Sequence, residues 1–218
     1  MHEGEILGIT GLLDSGRSEL ALSMFGAREI EDGQWYKNEK PIRLASVQDA
    51  IGQKIGYVPE DRLSEGLFLS QSIGDNIVIS EIDKLTKLFG VMDKEKEKNE
   101  IAHWMQELSV ASPLASNACQ TLSGGNQQRV VLAKWLACNL DILILNGPTV
   151  GVDIGSKHDI HAILQKLAKK GLGIIIISDD LPEVLENCSR LLVMKNGEIV
   201  ANINTATSDE KTIYSYML

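Results

Sequence analysis

The stretch from Leu122 to Ala137 reads Leu-Ser-Gly-Gly-Asn-Gln-Gln-Arg-Val-Val-Leu-Ala-Lys-Trp-Leu-Ala, and the rest of the chain is best interpreted from it. The pattern predicts a loop that turns into a helix. Ser123, Gly124 and Gly125 would place a hydroxyl and two unhindered backbone N–H groups at the helix N-terminus, where the helix dipole favours an anion. The implied ligand is a phosphate. The alternative is that Ser123 is only a helix cap and the glycines only a turn.

A second glycine-rich stretch, Gly11 to Ser18, reads Gly-Leu-Leu-Asp-Ser-Gly-Arg-Ser and has the spacing of a phosphate-binding P-loop. The apolar run Ile6–Thr10 predicts a strand before it, and Ser18–Phe25 predicts a helix after it, which is the context that a P-loop needs. The residues expected to hold phosphate in this stretch are Gly11, Leu12, Asp14, Ser15, Gly16, Arg17 and Ser18. The hydroxyl of Ser18 is also the expected magnesium ligand. The alternative is a glycine-rich turn that binds no ligand.

Two residues of this loop differ from a fully functional P-loop. Arg17 stands where the pattern requires lysine, and its planar fork is bulkier than an ammonium, although it still binds phosphate. Asp14 adds a carboxylate, and a unit charge about 4 Å from a phosphate costs roughly 1 kcal/mol in water and about 4 kcal/mol at a surface-like dielectric. We therefore expect weakened affinity, unless Asp14 turns outward.

Together, the two stretches resemble the signature sequence and the P-loop of ABC ATPases, and Asn-Gln-Gln at positions 126–128 is similar to the signature of monosaccharide importers of the ribose, galactose and xylose type. The resemblance implies ATP and Mg²⁺ as cofactors. It also implies one nucleotide-binding domain over residues 1–218, of the α/β class. Its expected parts are a P-loop NTPase core with a mainly parallel sheet, a helical insertion subdomain at about residues 68–125 and a small antiparallel β patch.

In that family the signature is presented to the ATP of a partner cassette. The residues that the resemblance implies for this contact are Ser123, Gly124, Gly125, Asn126 and Gln127. The stretch Val150-Gly151-Val152-Asp153 resembles the family's next loop, in which Asp153 would contact the opposite cassette.

The segment Pro59-Glu60-Asp61-Arg62 resembles the corresponding stretch in the second cassette of sugar importers. Glu60 occupies the position of a glutamine that touches magnesium and the transport subunit. The resemblance implies the C-terminal half of a duplicated ATPase, excised from a longer two-cassette chain. From the residues alone, two acids and an arginine are more often a local salt-bridged turn.

Three positions depart from the residues that ABC ATPases use for hydrolysis. Asn146 and Gly147 stand where the family has Asp-Glu at the end of a buried strand, and Asp179 stands where a histidine senses the outermost phosphate. Loss of the carboxylate that polarises the attacking water is typically worth about 10² to 10⁴ in rate. An aspartate at 179 would repel phosphate. We therefore predict no catalytic residue in this chain and almost no hydrolysis at its own site.

Composition narrows the classes of partner. The 218 residues carry a net charge of −9, which argues against binding a nucleic-acid backbone or an anionic membrane surface. The three cysteines, Cys119, Cys138 and Cys188, lack the spacing of a zinc site or a disulfide framework, which fits a reducing cytosol. The longest apolar run, Ile174–Ile177, is too short to cross a bilayer, and the N-terminus shows no export signal.

Three further elements are predicted from local signals. Lys94–Leu108 has helical spacing and is expected to bury Ile101, Met105 and Leu108 on one face. The turn Asn196-Gly197 predicts a hairpin. Ser208 is expected to cap a last short helix.

These observations lead to one hypothesis and two alternatives. The hypothesis is a degenerate C-terminal cassette of a monosaccharide importer, peripheral to the cytoplasmic face of the inner membrane and nearly inactive by itself. Its expected partners are an N-terminal cassette of the same polypeptide, transmembrane permease subunits and, indirectly, an extracellular or periplasmic sugar-binding protein. The alternatives are an independent soluble ABC-type ATPase and a purely structural cassette that binds no nucleotide. The transported sugar is not identified by these residues.

Overall fold

The computed structural model describes residues 1–87 and 90–218 and divides into two compact units. The first unit comprises residues 1–57, 141–148 and 165–218, and the second comprises residues 58–140 and 149–164. Leu88 and Phe89 belong to the predicted helical subdomain and lie outside the described residues. The boundaries of that subdomain stay a prediction.

The regular elements alternate between strands and helices for most of the chain. The strands are β1 (Ile6–Gly11), β2 (Trp35–Lys37), β3 (Lys40–Ile42), β4 (Ile55–Val58), β5 (Ile142–Asn146), β6 (Gly173–Ile177), β7 (Arg190–Lys195) and β8 (Glu198–Asn204). The α-helices are α1 (Arg17–Met24), α2 (Val47–Gly52), α3 (Ile73–Val78), α4 (Lys94–Glu107), α5 (Gly124–Leu136), α6 (Ile154–Lys169), α7 (Leu181–Asn187) and α8 (Glu210–Met217). One π-helical turn, Arg62–Gly66, follows β4.

The first unit is built around a sheet with the strand order β4-β5-β6-β1-β7-β8. The pairs β5/β6, β6/β1 and β1/β7 are parallel, and only β8 runs antiparallel to its neighbour β7 among the pairings described. Every residue of β1 and β6 is buried, as expected for strands covered on both faces. The predicted α/β fold with a mainly parallel sheet is confirmed.

The predicted hairpin and the predicted small antiparallel β patch are both present in the first unit. Strands β2 and β3 form a separate two-stranded antiparallel sheet, which confirms the small β patch. Strands β7 and β8 are joined at Asn196-Gly197, whose φ angles of 50° and 82° are those of a turn with two left-handed residues. Asn and Gly tolerate this conformation better than other residues, which explains why the signal was visible in the sequence.

The second unit contains α3, α4, α5 and the first part of α6. Helix α5 is buried around most of its circumference, including the consecutive residues Val130, Val131 and Leu132, and packs against α3 and α4. Helix α4 forms as predicted, but no residue within it is fully buried, so the expected buried face is wrong for Ile101 and Met105. Only Leu108, just after the helix, is buried. The helix lies against α3 and α5 along one side, which leaves its apolar face half covered.

The start of α8 corrects another expectation. The N-cap is Asp209 rather than Ser208, and its carboxylate accepts a hydrogen bond from Thr212 N at 2.8 Å. Both residue types cap helices well, and the backbone geometry selects Asp209. Helix α1 likewise begins at Arg17, one residue before the predicted start.

Candidate functional site

The predicted nucleotide-side residues of the first unit meet at one edge of its sheet. The glycine-rich loop follows β1, Asn146 ends β5, and Asp179 comes two residues after β6. Asn146 is in register with Ile177, and Ser178 N donates to Ile9 O at 3.1 Å, so the ends of these parallel strands are adjacent. The carboxyl edge of a parallel sheet is the usual place for a ligand in this class of fold.

The path of the glycine-rich loop is fixed by close backbone approaches. A Cβ atom on Gly11 would lie 2.5 Å from both Met194 O and Ser15 Oγ, so only glycine fits there. Gly16 adopts a φ of 90° directly before α1. The turn between β7 and β8 also stabilises this loop, since Gly197 N donates a hydrogen bond to Ser15 O at 2.9 Å. The loop therefore has a defined shape at the N-terminus of α1.

The side chains of this loop differ in exposure. Leu12 and Asp14 are exposed, so the Asp14 carboxylate points into solvent and its repulsion of an anion is screened. Ser15 is buried, and its hydroxyl oxygen has no hydrogen-bond partner among the described residues. Ser18 is half-buried.

The guanidinium of Arg17 is paired with other groups of this chain. Its side chain is 8% exposed, Nη1 donates to Gly11 O, and Nη2 lies 3.0 Å from Oδ2 of Asp179. The Asp179 side chain is 71% exposed, so the ion pair is open to solvent on the carboxylate side. The cation at the P-loop lysine position thus already has an anionic partner.

The last residue of β5 and the residue after it carry no carboxylate. Asn146 is buried and its Nδ2 lies 3.5 Å from Tyr57 Oη, so it presents an amide instead of a carboxylate. Gly147 has a φ of +56° and donates its N–H to Ile177 O at 2.8 Å. A glutamate introduced at 147 would be strained in this left-handed conformation.

The donors at this edge do not fit a magnesium ion. Mg²⁺ prefers oxygen ligands that include carboxylates, whereas this edge offers the Ser18 hydroxyl, the Asn146 amide and a carboxylate, Asp179, that is paired with Arg17. No group of three or more His, Cys, Asp or Glu side chains suited to a metal occurs among the described residues. The backbone at the start of α1 fits a phosphate, but the side-chain cation would have to leave Asp179 to bind it.

The signature loop, residues Ser123 to Gln127, lies in the second unit at the start of α5. Ser123 occupies the N-cap position, but its side chain caps no backbone N–H. Instead its Oγ accepts a hydrogen bond from Asn126 Nδ2 at 2.9 Å, and Asn126 Oδ1 accepts one from Ala111 N at 2.7 Å. The Ser123 hydroxyl proton therefore remains available to donate to a ligand. The open first turn of a 13-residue helix supplies further backbone donors.

The two signature glycines are required by packing. A Cβ atom on Gly124 would lie 2.8 Å from Arg62 Nη2 and 2.9 Å from Gly151 O. A Cβ atom on Gly125 would lie 2.5 Å from Ser156 Cβ and closer still to its hydroxyl oxygen. Neither glycine has a positive φ, so close approach, and not a turn, explains both residues.

The remaining predicted residues of the second unit are placed differently. Asp153 caps α6, accepting from Ser156 N at 2.9 Å and from Ser156 Oγ at 2.7 Å. The backbone N–H and hydroxyl of Ser156 hold the pKa of the Asp153 carboxyl below its usual value. Glu60 is exposed and offers its side chain to a partner, whereas Gln127 is buried inside α5 and does not.

Two features were missed by sequence reasoning. One is the pairing of Arg17 with Asp179, for which a signal existed, since two family positions had changed to residues of opposite charge. The other is Arg62, which is buried beside Gly124 and donates to the carbonyls of Val150 and Gly151. No local pattern in the sequence indicated that contact.

Comparison with known proteins identifies the family. The family model described as ABC transporter matches residues 1–150. The chain is 40% identical over 216 residues to the ribose import ATP-binding protein RbsA of Clostridium tetani, covering 99% of this chain and 43% of that protein. It is 40% identical over 220 residues to the L-arabinose transport ATP-binding protein AraG of Geobacillus stearothermophilus, covering 100% of this chain and 42% of that protein. The chain thus spans less than half the length of these relatives.

Solved structures give the same fold. A nucleotide-free ATP-binding cassette from an ABC transporter matches with a TM-score of 0.82 at 24% identity, covering 98% of this chain and 85% of that one. An ATP-binding cassette bound to ADP and Pi matches with a TM-score of 0.78 at 23% identity, covering 93% and 86%. Among the described residues, every helix is too short or too polar to span a lipid bilayer. With its family model, sheet order and glycine-rich loops in agreement, the chain belongs to the ABC transporter family.

Proposed function

We propose that this chain is a degenerate, C-terminal ATP-binding cassette of a monosaccharide importer, which completes the ATP site of a partner cassette with its signature loop. The relatives named for ribose import and L-arabinose transport support the substrate class. The chain would act at the cytoplasmic face of the membrane, with an N-terminal cassette of the same polypeptide, permease subunits and, indirectly, a sugar-binding protein. ATP and Mg²⁺ would be bound mainly by the partner cassette.

One observation carries this proposal, and it is the contrast between the two glycine-rich loops. At the P-loop, the Arg17 guanidinium is already paired with Asp179 at 3.0 Å. At the signature loop, Ser123 keeps its proton for a ligand and α5 lacks a side-chain cap. A terminal phosphate brought by the partner cassette would meet unpaired donors at the positive end of a helix.

The chain's own residues would stabilise and orient the phosphate in the transition state, and would transfer no proton. The Ser123 hydroxyl and the first backbone N–H groups of α5 would donate to the partner's phosphate, where negative charge develops during hydrolysis. Asn126 would fix the Ser123 side chain, since it bridges Ser123 Oγ and Ala111 N. The nucleophilic water would be activated by the partner cassette.

The test is Ser123→Ala in the complete transporter. We expect ATP turnover to fall by about 10-fold to 100-fold, because removal of one preorganised donor typically costs that much or more. Ser215→Ala is the matched control, since Ser215 is an exposed hydroxyl on α8 in the other unit and its Oγ donates to Thr212 O at 2.6 Å. Unchanged turnover in Ser123→Ala would contradict the proposal.

A purely structural cassette is the second candidate, and the Arg17–Asp179 pair favours it. Both candidates predict no hydrolysis here, but only the signature-donating cassette loses turnover with Ser123→Ala. The third possibility, an independent ATPase, predicts that turnover persists when the partner cassette's catalytic residues are removed. We expect no turnover in that protein.

A further inference from the structure

Arg62 is a buried charged side chain of the second unit, since it is only 9% exposed, and it contacts backbone segments far from it in sequence. Nη1 donates to Val150 O at 2.6 Å and Nη2 donates to Gly151 O at 3.1 Å. Arginine is seldom buried unless its donors are used, and here its Nε has no partner among the described residues. The two hydrogen bonds to backbone carbonyls offset part of the cost of burying the charge.

The backbone that carries Arg62 is itself held in place. Asp61 caps the π-helical turn Arg62–Gly66, and its Oδ1 accepts from Leu63 N at 3.0 Å and from Ser64 N at 3.2 Å. The Ser64 hydroxyl is the largest cause that keeps the pKa of the Asp61 carboxyl below its usual value, and these two backbone hydrogen bonds lower the pKa further. The side chain therefore starts from a fixed point and reaches the loop before α6.

The Arg62 guanidinium also contacts the signature loop. A Cβ atom on Gly124 would lie 2.8 Å from Nη2, so the glycine backbone rests directly on the arginine. Gly151, which accepts from the same Nη2, has a φ of +67°, and a Cβ there would lie 3.4 Å from Nη1. One planar group thus contacts both the first residue of α5 and the turn at 150–151, at the point where Gly124 also approaches Gly151 O.

We infer that Arg62 is a positioning residue that holds the signature loop and the loop at residues 149–153 in one arrangement, so that both meet the partner cassette's nucleotide together. This inference rests on the proposed function. Arg62 does not touch the nucleotide in this role. It acts through the backbone of Gly124 and Gly151, which is why its bidentate geometry matters more than its charge.

The inference predicts that loss of Arg62 affects the rate of ATP turnover more than the affinity for ATP. The partner cassette binds ATP with its own P-loop, so loss of Arg62 should leave the affinity for ATP nearly unchanged. The catalytic step needs the signature loop at the correct position relative to the partner's nucleotide. A misplacement of about 1 Å can cost up to about 100-fold in rate. We therefore expect kcat to fall about tenfold in Arg62→Gln, with KM changed less than twofold.

The experiment compares Arg62→Gln, Arg62→Lys and Arg190→Gln in the complete transporter, with kcat, KM and thermal stability measured for each. Arg190 is the control, because it forms an ion pair with Glu5 at 2.7 Å in the other unit. Arg62→Lys keeps the charge but cannot bridge two carbonyls as a planar fork, so we expect kcat to fall about threefold. Arg190→Gln should lower stability without lowering kcat.

The outcomes separate this inference from the proposed function. Normal kcat in both Arg62 variants, together with reduced kcat in Ser123→Ala, overturns the inference alone. Normal kcat in all three overturns the proposed function. If the Arg62 variants do not assemble, Gly124→Ala replaces them, since its Cβ would displace the guanidinium without removing it. Unchanged kcat in Gly124→Ala then overturns the inference.

Discussion

The loop Gly11–Ser18 of the first unit and the loop Ser123–Gln127 of the second unit are both glycine-rich and both begin a helix. In the first, the cation at the lysine position is bound to Asp179 at 3.0 Å. In the second, the serine hydroxyl accepts from Asn126, and no side chain caps the helix. Both loops have the backbone shape of an anion site. Only the loop Ser123–Gln127 leaves its hydrogen-bond donors free for a ligand that lies outside its unit.

The difference shows that a loop with the backbone shape of a phosphate site can have its side-chain cation paired inside the protein. Gly11 and Gly16 still have the close approach and the left-handed φ that a phosphate-binding loop requires. The Arg17–Asp179 pair adds an internal anion at the place where a nucleotide would bring its own. The comparison therefore makes opposite predictions for substitutions in the two loops.

The largest expected effect is on the signature side. Gly125→Ala would place a Cβ 2.5 Å from Ser156 Cβ, which forces α5 and the start of α6 apart. Overpacking of this kind typically costs about 1 to 3 kcal/mol, and the displaced loop should also lose its register with the partner's nucleotide. We expect turnover of the complete transporter to fall by about 100-fold, measured as steady-state phosphate release.

Gly155→Ala is the matched control for that variant. Gly155 lies in the first turn of α6, lacks a positive φ, and a Cβ there would meet only Asp153 Oδ1, at 3.4 Å. Alanine favours helix over glycine by roughly 1 kcal/mol, so this variant should be neutral or stabilising. Equal losses of turnover in the two variants would show that helix α6, and not the Gly125 contact, sets the position of the loop.

A smaller effect, of opposite sign, is expected at the P-loop. Asp179→Asn removes the anion that binds Arg17, which frees the guanidinium for a phosphate. We expect ATP binding at this chain's own site to strengthen by about tenfold, since a hydrogen bond to a charged partner is worth about 1.5 to 3 kcal/mol. Calorimetry on the complete transporter, with the partner cassette's nucleotide site disabled, measures this binding.

Asp180→Asn provides the same change of charge without the contact to Arg17. Asp180 caps α7 by accepting from Glu183 N at 3.2 Å, and asparagine caps helices equally well, so the fold should be preserved. If both variants strengthen binding equally, the gain reflects net charge alone and the ion pair is not what closes the site. Hydrolysis should stay absent in both, because Asn146 and Gly147 are unchanged.

Local sequence signals predicted the scaffold better than the site. The continuous apolar runs of β1, β5 and β6 indicated buried parallel strands, and Asn196-Gly197 indicated a hairpin, because each depends on residues that are adjacent in sequence. The cap of α8 was predicted one residue too early, since Ser208 and Asp209 both have the right chemistry. The helical period of α4 was predicted correctly, but the burial of its apolar residues was not. A periodic pattern shows which residues share a face and does not show how much of that face a neighbouring helix covers.

The pairs that define the two sites could not be predicted in this way. Arg17 and Asp179 are 162 positions apart, and Arg62 lies 88 positions before Val150. Such contacts depend on which strand ends and loops the tertiary fold brings together. The sequence did locate the altered positions, and it predicted repulsion of phosphate by Asp179. It did not show that Asp179 would instead be held by the arginine beside it in space.

The smallest expected effect concerns Asp153, the residue that anchors the signature side at α6. Hydrogen bonds from Ser156 hold the pKa of the Asp153 carboxyl below its ordinary value of 3.8. A lowered pKa in the folded state means that the carboxylate stabilises the fold above that value, and that this stabilisation is lost as the pH falls through the folded-state pKa.

Asp153→Asn keeps a helix cap but does not titrate there. We expect wild type and variant to differ in urea midpoint at about pH 7 and to converge as the pH falls below the folded-state pKa of Asp153. A difference that persists at low pH would mean that Asp153 anchors the signature side by its shape, with its charge contributing nothing.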